Sequence, residues 1–167
     1  MHPKKGLDLL IRSFLRQKRE DELLVLAGPL EPSDRHITNL RQETNEYEDR
    51  ILWTDMLEGE MKWGALRYAN ALILPSHQEN YGMVVAESLS VGTPVFVTDK
   101  VNIWREVVEA NAGFVAPDSQ AGIDQLIADW RMGKHQGMAE DCLHCFEQSL
   151  HIRNCGQKVL DLLIESR

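Results

Sequence analysis

Short apolar runs recur along this chain at residues 23–28 (Leu-Leu-Val-Leu-Ala-Gly), 51–54 (Ile-Leu-Trp-Thr), 71–75 (Ala-Leu-Ile-Leu-Pro), 95–97 (Val-Phe-Val) and 113–116 (Gly-Phe-Val-Ala). Each is too short for a helix and is bounded by Gly, Pro or polar residues, the pattern of strands buried on both faces. Amphipathic stretches separate them. Leu7, Leu10, Ile11, Phe14 and Leu15 share one helical face, with Arg12, Arg16 and Lys18 on the wet side. Residues 34–44 follow with Ile37, Leu40 and Thr44 facing in, then 60–69, and then 102–110 with Ile103 and Val107 buried. Asp118 and Ser119 cap a helix carrying Ile123, Leu126, Ile127 and Trp130, which Gly133 breaks. Another helix covers 138–150, and Val159, Leu160, Leu162, Leu163 and Ile164 form a last apolar stripe. Strands alternating with helices predict an α/β fold: a doubly wound, Rossmann-like parallel sheet flanked by helices, with residues 1–167 as one domain.

Charge narrows the choice of partners. The chain has 18 Lys plus Arg against 26 Asp plus Glu, a net charge of −8. No broad basic face is available to collect phosphates along a strand, so no nucleic-acid partner is expected. No apolar run reaches the roughly 20 residues that cross a bilayer, and the first residues lack the apolar core of a signal peptide. The expectation is a cytoplasmic protein. Cys142, Cys145 and Cys155 are an odd set suited to a reducing compartment. Cys142-x-x-Cys145 with His144 and His151 sits on a helical stretch without a second matched pair, and reads as packing or surface thiols, so no metal site is expected.

The richest chemistry lies in residues 76–94, Ser-His-Gln-Glu-Asn-Tyr-Gly-Met-Val-Val-Ala-Glu-Ser-Leu-Ser-Val-Gly-Thr-Pro, between two strands. Ligands of such sheets collect beyond the carboxyl ends of the strands, where this loop sits. If Asn80 caps the following helix, the backbone N–H groups of Tyr81, Gly82 and Met83 are free to hold an anion, and Gly82 lets it approach. From that cap to Glu87 is roughly 10 Å at about 1.5 Å per residue, comparable to the span of a nucleotide sugar. Carboxylates suit vicinal hydroxyls. Glu87 would then take a ribose diol, Glu79 the sugar, and the intervening amides the phosphates. The plain alternative is a first-turn charge complementing the helix dipole and a solvated side chain. His77, in the same loop, either meets substrate or fills the turn. Trp63 and Trp104 read as core or interface residues.

The spacing Pro75-Ser76-x-x-Glu79-x-Tyr81-Gly82-x4-Glu87-x4-Gly92-x-Pro94-Val95 resembles the signature of the retaining GT-B glycosyltransferases of family four, the glycosyl transferases group 1, with Tyr81 where the pattern has Phe. Lys5-Gly6-Leu7-Asp8-Leu9-Leu10, Leu24 to Gly28, and Asn111 to Pro117 resemble further family segments in the same order. The resemblance implies the nucleotide-sugar-binding, C-terminal half of a two-domain enzyme.

By that resemblance Lys5 contacts the donor diphosphate, Glu79 lies beside the transferred sugar, and both are catalytic in the loose sense of touching the reacting group. Glu87 binds ribose. Asn80, Tyr81, Gly82, Met83 and Val84 contact sugar and phosphate, and Trp53, Thr54 or Met56 meets the base. Asp55 stands where many relatives have Gly, which leaves UDP, GDP and ADP donors open. No cofactor or metal is required. The acceptor, a sugar or lipid-linked hydroxyl, would be held by a separate N-terminal domain, and the intact enzyme is expected at most peripherally at a membrane. The family also places a strand ending in Gly-Arg ahead of the Lys-Gly helix, in mid-sheet between residues 24–28 and 71–75. This chain begins after it. Those two strands then close up, or another segment or chain fills the gap, or the edges stay unpaired, inviting self-association and lowering stability. The isolated chain is expected to transfer sugar poorly, if at all. A related epimerase or phosphorylase would need a catalytic His or pyridoxal Lys motif, and none is seen; a non-catalytic nucleotide-binding module, or a half-protein pairing with a separate acceptor domain, is the other alternative.

Overall fold

Each apolar run becomes a strand: β1 Leu24–Ala27, β2 Ile51–Thr54, β3 Leu72–Leu74, β4 Val95–Thr98 and β5 Gly113–Ala116. The structure, a computed structural model, describes residues 2–16, 19, 21–154, 156 and 164. Between the strands run α1 Leu7–Leu15, α2 Arg35–Glu43, α3 Gly59–Tyr68, α4 Met83–Ser90, α5 Trp104–Glu109 and α6 Gln120–Arg131. Residues 138–150, expected as one helix, form α7 Ala139–Cys145 and a wider π turn, Phe146–Leu150. Of the expected C-terminal stripe, Val159, Leu160, Leu162 and Leu163 lie outside the described residues.

The caps follow local chemistry. Asp34 accepts from the amides of His36 (3.0 Å) and Ile37 (3.3 Å) to start α2, and the Ser119 hydroxyl accepts from Gly122 N (3.1 Å) to start α6.

All strand pairs are parallel, as the alternation requires. Among the described residues, however, they form two sheets and not one. β1 pairs with β2, Leu24 opposite Ile51, while β3, β4 and β5 form a second sheet with Leu72 opposite Val95 and Val95 opposite Gly113. No ladder joins β1 to β3, so of the outcomes weighed for these edges, closing up is ruled out.

Packing explains the split. One core gathers Leu10 and Phe14 of α1, Ile37 of α2 and Leu126 of α6 against Leu26, Ile51, Phe96 and Ala116, and so lies under both sheets. A second core covers the opposite face of the larger sheet only, with Val85 and Leu89 of α4, Val107 of α5 and Cys142 of α7 against Val95 and Val97. In β4 the period of two is plain: Phe96 faces the first core, Val95 and Val97 the second, and all three are fully buried. The reading of residues 23–28 as a buried strand needs correction. Only Leu26 of β1 is buried, and Val25 is 44% exposed because, among the described residues, no helix covers that face and no strand lies along its outer edge. Among the described residues no helix is long and apolar enough to cross a membrane.

Candidate functional site

At the carboxyl end of the larger sheet, the turn before α1 meets the loop after β3. Lys5 ends a short 3-10 turn, Pro3–Lys5, whose start is capped by His2 Nδ1 accepting from Lys4 N (3.1 Å). Gly6 then adopts φ +64°, and a Cβ there would overlap the Pro75 carbonyl oxygen. Only glycine tolerates both conditions. His77 N donates to Lys4 O (2.7 Å), which fixes the turn on the segment after β3. The Lys5 ammonium consequently reaches the Glu79 carboxylate, with which it forms a hydrogen-bonded ion pair. Two residues expected at neighbouring parts of one ligand thus meet across 74 positions.

Glu79 is itself held at its backbone. Its N–H donates to Lys100 O (3.0 Å), its carbonyl accepts from Asn102 N (3.2 Å), and it forms an isolated parallel bridge with the fully buried Val101. This bridge keeps residue 79 extended, and α4 starts later than expected. Gly82 (φ +75°) is its N-cap, without a side-chain bond, and Asn80 is not the cap. The N–H groups of Val85 (2.8 Å) and Ala86 (3.4 Å) both bond Gly82 O, so the amides presented at the helix start are those of Met83 and Val84. Those of Tyr81 and Gly82 precede it. Gly82 is buried, and a Cβ would press on Val101 (3.2 Å), Val85 (3.3 Å) and the Glu79 stem (3.5 Å). Its lack of a side chain serves the turn and the packing of Glu79 before it serves any ligand. Tyr81 turns away, its hydroxyl 3.5 Å from Leu150 O, and Asn80 is exposed.

Glu87 lies five residues beyond Gly82, about 7.5 Å along the helix at about 1.5 Å per residue, shorter than the span taken from an Asn80 cap. Its Oε1 accepts from Lys62 Nζ of α3 at 2.8 Å, and Lys62 also lies 4.8 Å over the Trp63 ring. Each carboxylate of the Glu79/Glu87 pair therefore carries its own lysine. Both pairs are partly exposed, so an arriving anion can draw the ammonium groups and leave the carboxylates to accept from hydroxyls.

The residues expected at a base are arranged differently. The indole N–H of Trp53 donates to Thr44 Oγ1 (3.0 Å), and its ring packs against the first core, so Trp53 is not a free stacking platform. The amide of Met56 is engaged by Asp55 Oδ1 (2.8 Å), which also accepts from Leu30 N (3.3 Å) and so ties together the loops after β1 and β2. Thr54 Oγ1 is buried and unpartnered among the described residues, as is the hydroxyl of the fully buried Ser76 at the end of β3.

The cysteines behave as packing. Cys142 and Cys145 are buried, free thiols; their S–H groups face Ala112 O (3.5 Å) and Glu106 O (3.4 Å). Burial pushes Cys142 up to about 12, with Cys145 and Asp141 adding, and Cys145 up to about 11, with Glu106 adding. Neither is a thiolate near neutral pH. Cys155 lies outside the described residues.

Residues 1–140 match the family described as Glycosyl transferases group 1. The chain belongs to that family. An uncharacterized glycosyltransferase of Methanocaldococcus jannaschii is 29% identical over 133 residues, covering 75% of this chain and 33% of the relative. A D-inositol 3-phosphate glycosyltransferase of Xylanimonas cellulosilytica is 32% identical over 106 residues, 62% of this chain and 25% of its own length. This glycosyl transferases group 1 chain thus spans about a third or less of the curated relatives it matches. Among solved structures, Anabaena HepE in complex with UDP and glucose aligns with TM-score 0.80 at 16% identity over 99% of this chain and 46% of that one. Sucrose-phosphate synthase from Thermosynechococcus elongatus aligns with TM-score 0.76 at 18% identity, over 98% and 43%. At such identities the likeness is one of fold, that of GT-B glycosyltransferases.

Sequence reasoning missed Lys62 and Asp118. Lys62 carries no local signal, because only the approach of α3 to α4 brings it to Glu87. His77 was noticed, but its partner, Asp118 Oδ1 at 2.6 Å from Nδ1, arrives from the loop after β5.

Proposed function

We propose that these residues bind the nucleotide-diphospho-sugar donor of a retaining glycosyltransferase. The observation that carries the reading is the convergence of Lys5 on Glu79 beside the amides of Met83 and Val84, with Glu87 one helical turn further on. Ammonium and helix-start amides suit a diphosphate, Glu87 suits ribose hydroxyls and Glu79 the sugar. HepE, of similar fold, is described in complex with UDP and glucose, which favours the same kind of ligand here.

In this reading the bond from the anomeric carbon to the diphosphate oxygen breaks with its electron pair on phosphate. The acceptor hydroxyl oxygen bonds that carbon on the same face, and its proton passes to the departing phosphate. Lys5 and the Met83 and Val84 amides stabilise the growing negative charge; Glu79 orients the sugar and favours its developing positive charge. The acceptor is held by a second domain, so a donor-binding domain by itself binds donor without efficient turnover.

Calorimetric titration with UDP-, GDP- and ADP-sugars tests this. One nucleotide series should bind, and Lys5→Ala or Glu87→Ala should each weaken it about tenfold or more, the loss of a charge-assisted contact. Binding untouched by both changes contradicts the assignment.

A further inference from the structure

We propose that His77 and Asp118 form a positioning pair that sets where the Lys5 ammonium stands; this rests on the donor-site reading above. The Lys5 side chain is 42% exposed, and its long stem is flexible, so the backbone turn beneath it decides where the charge can reach. That turn is seated on residue 77. His77 N donates to Lys4 O (2.7 Å), and the imidazole Nε2 lies 3.5 Å from where a Cβ on Gly6 would stand. The ring is held in that place from its other side. Nδ1 is 2.6 Å from Asp118 Oδ1, and because a carboxylate only accepts, Nδ1 carries the proton and the orientation of the ring is defined.

Asp118 is mostly buried, directly before Ser119, the cap of α6. The pair therefore links the loop after β5, the loop after β3 and the Lys5 turn in series. His77 is 39% exposed and belongs to neither core, so its side chain contributes little to folding, and a partly exposed pair of this kind is a weak source of stability. What it does fix is the angle at which the turn meets the site.

The test uses the full chain and two readouts. Without ligand, Asp118→Ala should speed amide exchange at His77 and Gly6 about threefold, while Ile123 in α6 and Val97 in β4 keep their protection. With ligand, His77→Ala and Asp118→Ala should weaken UDP about fivefold and leave uridine, which lacks phosphate, unchanged. His77→Asn, whose amide N–H replaces the Nδ1 donor, should stay within about twofold of wild type. In a Lys5→Ala background, His77→Ala should add nothing, since the ion it positions is gone. An equal loss in both backgrounds, or a loss for uridine as well, marks a merely structural role and overturns the proposal. So does a His77→Asn variant as weak as His77→Ala. Should wild type bind none of UDP, GDP or ADP, the donor-site reading fails, and the exchange experiment still decides the pair: unchanged protection at His77 in Asp118→Ala overturns it.

Discussion

The two sheets of this protein have similar sequences and different surroundings. β4 lies between two strands and two helical layers, and Val95, Phe96 and Val97 are fully buried. Among the described residues β1 and β2 have one helical layer, and Val25 and Leu52 are 44% and 46% exposed on the opposite face. A run such as Leu-Val-Leu-Ala states that a strand can form there. Whether it is buried depends on neighbours in the sheet and across it. The candidate site follows the same division. Glu79, Gly82, Met83, Val84 and Glu87 stand on the doubly covered sheet, and Lys5 is seated against it. Trp53, Thr54 and Met56 belong to the thinner one. The end proposed for diphosphate and sugar is therefore packed on both sides, and the end proposed for the base has fewer packed neighbours.

The widest difference should appear in core substitutions. Phe96→Ala removes a fully buried ring stacked 5.0 Å from Phe114 and should cost about 3–5 kcal/mol in urea unfolding. Val25→Thr, on the exposed face of β1, should stay within about 0.5 kcal/mol. Equal losses would break the comparison. A smaller effect concerns the thiols behind the larger sheet. Their ordinary value is 9.0 and burial raises both, so the unfolded chain releases these protons first as pH rises. Stability should accordingly decline from about pH 9 upward, and Cys142→Ala with Cys145→Ala should flatten that limb. At pH 8 neither thiol in the folded chain should react with an alkylating reagent.

Much of this fold was legible in the sequence, because strand runs and helical stripes are local signals. Glu79 and Glu87 stand out by spacing and Lys5 by family resemblance, and the structure brings Lys5 to Glu79. The cap was not legible: Asn80 has the better capping side chain, yet the bridge from Glu79 to Val101 keeps the chain extended and passes the helix start to Gly82. Trp53, one of the residues expected near the base, has its indole N–H engaged by Thr44, and its register was readable. It shares a strand face with the buried Ile51, two residues earlier, and so turns inward to Thr44. Lys62 and Asp118 depend on elements meeting in space, for which no single stretch holds a signal.

The start of α4 is where donor binding should register first. Nitrogen-15 NMR of the chain titrated with UDP and UDP-sugar should shift the Met83 and Val84 amides first and furthest. Residues near Glu87 and Lys5 should move with them, while Arg16 and Arg131, by the remote groove between α1 and α6, stay still. Shifts confined to that groove, or absent from Met83 and Val84 when binding is saturated, would contradict the donor-site reading.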